Sequence, residues 1–259
     1  MNRRLAAIVC AISVLPFLLT LLGLDLGTAA APLDFERLGS LPALDQSQAV
    51  FAALSGSFVH TMLEWTALCA AVFTFVMAVL HYRVTGDLVT PVIGLALLTA
   101  GVMDGFHTLA ADRLIGSADP VDFIPFTWAL CRLFNALILA LGAALVLLRP
   151  LRTERRNAVL LGGSSLTFAL LAALAIVVVA TRSNLPQTMF PGAAITRPWD
   201  VAPALIYAFS GVVLFPALYR RVPGAFAMGL WLSVIPHMAT QTHMALGSAV
   251  LFDHHFHVA

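Results

Sequence analysis

Apolar residues dominate the chain in seven long stretches separated by short polar segments. They run Leu5–Leu24, Phe58–Leu80, Leu88–Ala110, Ile124–Leu148, Ala158–Ala180, Val201–Tyr219 and Ala225–Phe252. Each offers about the 20 mostly apolar residues that a bilayer crossing requires. In hydrocarbon a lone segment must satisfy its own backbone N–H and C=O groups, and at these lengths only a helix does so. The pattern predicts an all-α, polytopic membrane helix bundle of about seven transmembrane helices, forming one domain over 1–259.

The polar connections carry the orientation. One set holds Arg3, Arg4, Arg83, Arg149, Arg152, Arg155, Arg156, Arg220 and Arg221. The other holds Arg37, Arg113, Arg182 and Arg197, diluted by Asp25, Asp34, Asp45, Asp112, Asp119, Asp122, Asp200 and Asp253. Arginine-rich connections stay cytoplasmic. The N-terminus is therefore expected inside and the C-terminus outside, in a multi-pass protein of the bacterial cytoplasmic (inner) membrane. With an odd number of spans the chain ends outside, at Asp253-His254-His255-Phe256-His257-Val258-Ala259. The native polypeptide is expected to continue through an eighth span to a cytoplasmic output domain, the 259 residues being a fragment of it. A basic start and the small residues Ala29-Ala30-Ala31 also fit a cleaved signal sequence. The first apolar run, however, is longer than the 7–15 residues usual for a signal core, so a retained span is expected.

Two connections have internal character. Residues 25–57 form the longest external piece and end in Asp45-Gln46-Ser47-Gln48 before an apolar run. That is a helix-capping pattern, so the second helix is expected to begin outside the membrane. Residues 181–200 contain Pro186, Pro191 and Pro198, which suits an external loop folded over the helix ends.

Composition narrows the class further. Hydrophobic residues make up 60% of the chain and charged residues 10%, against roughly 25% charged in soluble domains. So little charge cannot coat a water-facing surface, which makes the lipid bilayer the first partner. A net charge of +1 gives no basis for binding nucleic acid. Cys10, Cys69 and Cys131 all fall in apolar stretches, so no disulfide framework is expected.

Ionisable groups inside a membrane are costly and mark function. His60 and Glu64 lie one helical turn apart on the second span. Asp104 and His107 share one face near the outer end of the third. Trp128, Arg132 and Asn135 form one stripe on the fourth, and the seventh carries His237, just after Pro236, and His243. At 1.5 Å rise per residue, Glu64, Asp104, Arg132 and His243 all sit about 9–14 Å below the outer surface. Four helices each bringing a polar group to one level are expected to turn those groups toward a shared centre, with Arg132 as counter-ion of Glu64 and Asp104. The same network also suits a plain packing role that fixes helix register. Trp199, Tyr219 and Trp231 near span ends fit a lipid-anchoring aromatic belt. Gly162-Gly163-Ser164-Ser165 and Gly142-Ala143-Ala144 suit close helix packing.

Three segments in order carry a family resemblance: His60-Thr61-Met62-Leu63-Glu64-Trp65, then Gly101-Val102-Met103-Asp104-Gly105-Phe106-His107-Thr108-Leu109-Ala110, then Phe126-Thr127-Trp128-Ala129-Leu130-Cys131-Arg132-Leu133-Phe134-Asn135. They resemble the bacterial membrane-associated sensor domain of the third class. That family shows an early His and Glu on one helix, an Asp-x-x-His-x-Leu helix end, and a Trp-x-x-x-Arg helix. The resemblance spans His60 to Leu148. It implies a sensory input domain for histidine kinases and diguanylate cyclases, hence two-component or cyclic di-GMP signalling, with a homodimer implied by such outputs. The 259 residues contain no output module, and the last three spans carry no matching motif.

Three functions follow for comparison. A sensory input domain would bind a small ligand, proton or metal from the external side at Glu64, Asp104, His107, Trp128, Arg132, Asn135 and His243, with no catalysis by the chain itself. An intramembrane zinc hydrolase would draw metal ligands from His60, Asp104, His107, His237 and His243, although Arg132 in the cluster repels a cation. A haem or copper protein would use His60, His107 or His243. The cluster His254, His255, His257 is metal-like but terminal and exposed. A transporter is disfavoured because the sequence shows no internal repeat.

Overall fold

The computed structural model describes residues 3–24, 39–112, 114–115, 122–148 and 154–249, without the side chains of 49–57, 59 and 154–158. The regular structure among these residues is helical. It comprises α1 (Arg3–Leu21), α2 (Ala43–Thr85), α3 (Val89–Ala111), α4 (Phe123–Leu148) and α5 (Glu154–Thr181). A 3₁₀ turn (Pro198–Asp200) then leads into α6 (Val201–Phe209), a π-helical turn (Ser210–Leu214), α7 (Phe215–Arg221), α8 (Ala225–Leu232) and α9 (Val234–Leu246). Among the described residues, six segments are long and apolar enough to cross a membrane: Arg3–Leu21, His60–Thr85, Val89–Ala111, Phe123–Leu148, Val159–Thr181 and Pro198–Arg221. The seventh apolar stretch folds as α8 and α9, two shorter helices on either side of Ser233. Its expected end at Phe252, the terminal histidines and the Ala29–Ala31 site lie outside the described residues.

α2 is 43 residues long, about 65 Å at 1.5 Å per residue, roughly twice the hydrocarbon thickness. Residues 43–59 precede its candidate span. The helix starts earlier than the acidic pattern suggests: Pro42 is the N-cap and Asp45 lies in the first turn. Its C-terminus is set by Gly86, whose φ of 71° is the left-handed conformation that glycine adopts without a Cβ penalty. Asp87 then accepts from the Val89 and Thr90 N–H groups at 3.0 and 3.3 Å, opening α3 at once. α2 and α3 therefore run antiparallel.

Their seam is built from small residues. A Cβ placed on Gly94 would lie 2.6 Å from Ala78 Cβ. One on Gly101 would lie 2.8 Å from Ala71 Cβ, and one on Gly105 3.1 Å from Leu68 Cδ2. Lipid gives no hydrophobic drive for helix pairing, so this close backbone approach supplies the dispersion contact that holds the pair. Gly142 of α4 similarly approaches Ala96 of α3, at 3.3 Å. Gly162 and Gly163, expected at a close packing seam, face open space instead. α3 becomes the central helix, packed by α2, α4 and α5, with 83% of its membrane window buried. α1 lies at the periphery, with 0% of its window buried, and packs on α9.

The sixth span contains a π-turn at Ser210–Leu214. In the π register the Gly211 carbonyl faces residue 216, and Pro216 has no N–H to offer it. The Trp231 indole N–H of α8 donates to that carbonyl at 2.9 Å and satisfies it. Trp231 thus serves as a helix-to-helix bond as well as an aromatic side chain near a span end.

Gly101→Val would force α2 away from α3 and is expected to destabilise the fold by about 1–3 kcal/mol. Thermal denaturation in detergent reads this, and an unchanged midpoint would show that the seam is not close-packed.

Candidate functional site

The α2–α3 seam carries Glu64 and Asp104 to the same level, and α4 packs on α3 so that Arg132 lies between them. Arg132 Nη2 is 3.2 Å from Glu64 Oε1 and 3.6 Å from Asp104 Oδ1, with all three side chains only 11–12% exposed. One turn along α4, Asn135 directs its amide N–H groups at both Asp104 oxygens, at 3.0 and 3.1 Å. One guanidinium is thus shared by two carboxylates from two other helices. Tyr207 of α6, fully buried, lies within electrostatic reach of Arg132 and Asp104.

Trp128 extends the cluster toward the Arg197–Asp200 segment. The Arg132 guanidinium carbon lies 4.2 Å from its ring centroid, a cation–π contact in a desolvated setting. Arg197 lies 5.9 Å from the same ring. Its indole N–H donates to Asp200 Oδ1 at 3.2 Å. His107 and His60 stand beside it, at 5.4 and 6.5 Å between ring centroids.

His107 Nδ1 and the Thr127 hydroxyl are hydrogen-bonded at 2.9 Å, and that hydroxyl also lies 2.8 Å from the Ile124 carbonyl. The bond orients the ring and leaves Nε2 as its second polar atom. That atom is buried and has no hydrogen-bond partner among the described residues. The Asn135 Oδ1 and Tyr207 hydroxyl atoms share that condition. Buried polar atoms of this kind are rare and call for an occupant or a function.

The structure thus brings together Glu64, Asp104, Trp128, Arg132 and Asn135, with His107 and His60 alongside. His243, expected at the same level, instead stacks on Phe17 of α1 with ring centroids 3.8 Å apart. His237 stacks on Tyr207 at 4.3 Å and nearly parallel, and so joins the cluster only through that ring. The proposed metal set of His60, His107, His237 and His243 is therefore not gathered. His60 and His107 meet edge to face at 5.7 Å, and among the described residues no three His, Cys, Asp or Glu side chains could hold a metal ion. The donor geometry of a zinc hydrolase, which needs three protein ligands around one open position, is not present there.

Sequence reading missed four residues. Tyr207 looks like an ordinary apolar-span aromatic. Arg197 and Asp200 look like loop charges, yet Arg197 is 0% exposed and its side chain pairs with Asp200 at 3.2 Å. Gln241, fully buried on α9, is the fourth. The available signal was the three-residue spacing of Arg197 and Asp200 around Pro198 and Trp199. The loop itself folds over the helix ends: Leu185 and Thr188 are buried, and the Arg197 N–H and Thr196 hydroxyl both donate to the Ala245 carbonyl, at 3.3 and 3.2 Å. Trp199 packs on Phe126 at 5.8 Å, which places it against α4.

Replacing Arg132 with alanine strands two buried carboxylates without a counter-ion. The expected loss is about 3–5 kcal/mol of stability, with Arg132→Lys intermediate because an ammonium keeps the charge but loses the planar contact with the Trp128 ring. Denaturation midpoints in detergent decide this, and an alanine variant as stable as the parent would remove Arg132 from its central role.

Compared with known proteins, the chain matches a family model described as a membrane-associated sensor domain, over residues 55–245. No curated protein and no solved structure matches it.

Proposed function

The chain belongs to the membrane-associated sensor domains, and from that premise we propose that it receives a signal in the Glu64–Arg132–Asp104 cluster and passes it to a cytoplasmic output. The observation that carries this reading is the sharing of one guanidinium by carboxylates from two other helices. A ligand that takes up any one of these groups changes the balance among α2, α3 and α4 together. A signal acts only through such a difference in interaction between two helix arrangements. Glu64, Asp104, His107, Trp128, Arg132 and Asn135 form the receiving group. The His107 Nε2, the Asn135 Oδ1 and the Tyr207 hydroxyl supply unused hydrogen-bonding capacity for a small polar ligand.

The orientation belongs to the same proposal. The arginine distribution puts the N-terminus inside, the 181–200 loop outside and the cluster nearer the outer face of a bacterial inner membrane. Histidine kinase or cyclic di-GMP output and a homodimeric assembly complete the proposal by family resemblance.

Right-side-out membrane vesicles carrying the protein test both parts. Zinc chloride, haemin, sodium acetate and an acid buffer are supplied outside, and the heat-aggregation midpoint is read by immunoblot. A bound ligand raises that midpoint. The reading expects the responding probe to protect the parent and not Glu64→Gln. Equal protection of both would move the site elsewhere, and protection confined to inverted vesicles would reverse the orientation.

A further inference from the structure

Asp200 is held in a way that ordinary loop carboxylates are not. Its side chain is 1% exposed, and donors from three separate parts of the fold converge on it. Arg197 Nε lies 3.2 Å from Oδ2. The Trp128 indole N–H of α4 donates to Oδ1 at 3.2 Å. With its amide nitrogen turned toward Asp200, as its surroundings require, Gln241 of α9 donates to Oδ1 at 3.0 Å and to the Asp200 carbonyl at 3.1 Å. The Arg197 guanidinium also reaches the Pro125 carbonyl at 3.5 Å.

A buried ion pair recovers its desolvation cost only when further hydrogen bonds satisfy the remaining lone pairs and protons. Here Trp128 and Gln241 provide two such bonds, both to Oδ1. A cation, an indole N–H and an amide N–H around one anionic group is the donor set a carboxylate ligand would need. The group that fills it comes from the loop, and releasing it would remove one of the loop's ties to α4 and one of its ties to α9.

We propose that Arg197, Trp128 and Gln241 form a carboxylate-recognition site whose resident occupant is the chain's own Asp200, an internal ligand that latches the outer loop onto the bundle. The ligand class is a small monocarboxylate. The latch joins α4, the start of α6 and α9, and it touches the central cluster through Trp128. It stands independently of whether the Glu64 cluster receives a signal.

The test is chemical rescue of Asp200→Gly, which removes the occupant and leaves the three donors. In detergent its melting midpoint is expected to fall by more than about 6 °C. Sodium formate is expected to restore at least half of that loss in a saturable way, while sodium chloride at equal ionic strength restores none. The parent, whose site is filled, is expected to respond alike to both salts. Formate and chloride acting equally on the glycine variant would overturn the proposal. Should that variant accumulate in neither salt, the isosteric Asp200→Asn decides the matter by hydrogen exchange at the Arg197 amide, which is bonded to Ala245. Exchange at least tenfold faster than in the parent supports a charge-dependent latch, and unchanged exchange overturns it.

Discussion

One guanidinium shared by two carboxylates inside a membrane is the constraint on which the rest of this protein depends. Arg132, Glu64 and Asp104 each carry a desolvation cost that no single helix could bear. They persist because α2, α3 and α4 bring both carboxylates to the guanidinium, at 3.2 and 3.6 Å. The small-residue seam of Gly94, Gly101 and Gly105 against Ala78, Ala71 and Leu68 makes this possible. A wider seam would separate Glu64 from Arg132 and leave charge unpaired. Packing and electrostatics are therefore one problem here, solved in the central helix α3.

The 181–200 loop extends the same logic. Trp128 has two arginines near its ring, Arg132 at 4.2 Å and Arg197 at 5.9 Å, and also donates to Asp200. The indole joins the intramembrane cluster to the Arg197–Asp200 pair that ties down the loop. The proline-rich loop is thus part of the polar interior, not a tether between spans. On the other side, Tyr207 carries the cluster toward His237. Nearby in the sixth span, a π-turn breaks the regular ladder, and Trp231 satisfies the Gly211 carbonyl that Pro216 cannot.

The spans were legible because length and apolarity suffice to recognise a membrane helix. The level of the polar groups was legible because a helix rises uniformly per residue. Azimuth was not. His243 shares the level expected for Asp104, yet it stacks on Phe17 of α1, because depth says nothing about which neighbour a side chain meets. Arg197 and Asp200 were hidden for a different reason. In sequence a charge beside prolines reads as a solvated loop, and only the folding of the loop over the helix ends encloses it. Gly162-Gly163 shows the converse: a small-residue motif is permissive of close packing and faces open space when no helix comes near.

The central claim is that Glu64 and Asp104 act through one shared arginine. A double-mutant cycle on Glu64→Gln and Asp104→Asn measures this directly, by equilibrium unfolding of the two single variants and the double variant. Each single change leaves Arg132 one partner, whereas the double change leaves a buried guanidinium with none. The account predicts that the double variant loses more stability than the sum of the singles, by about 1 kcal/mol or more. Losses that add to within about 0.5 kcal/mol would show that the two carboxylates are independent and would contradict it.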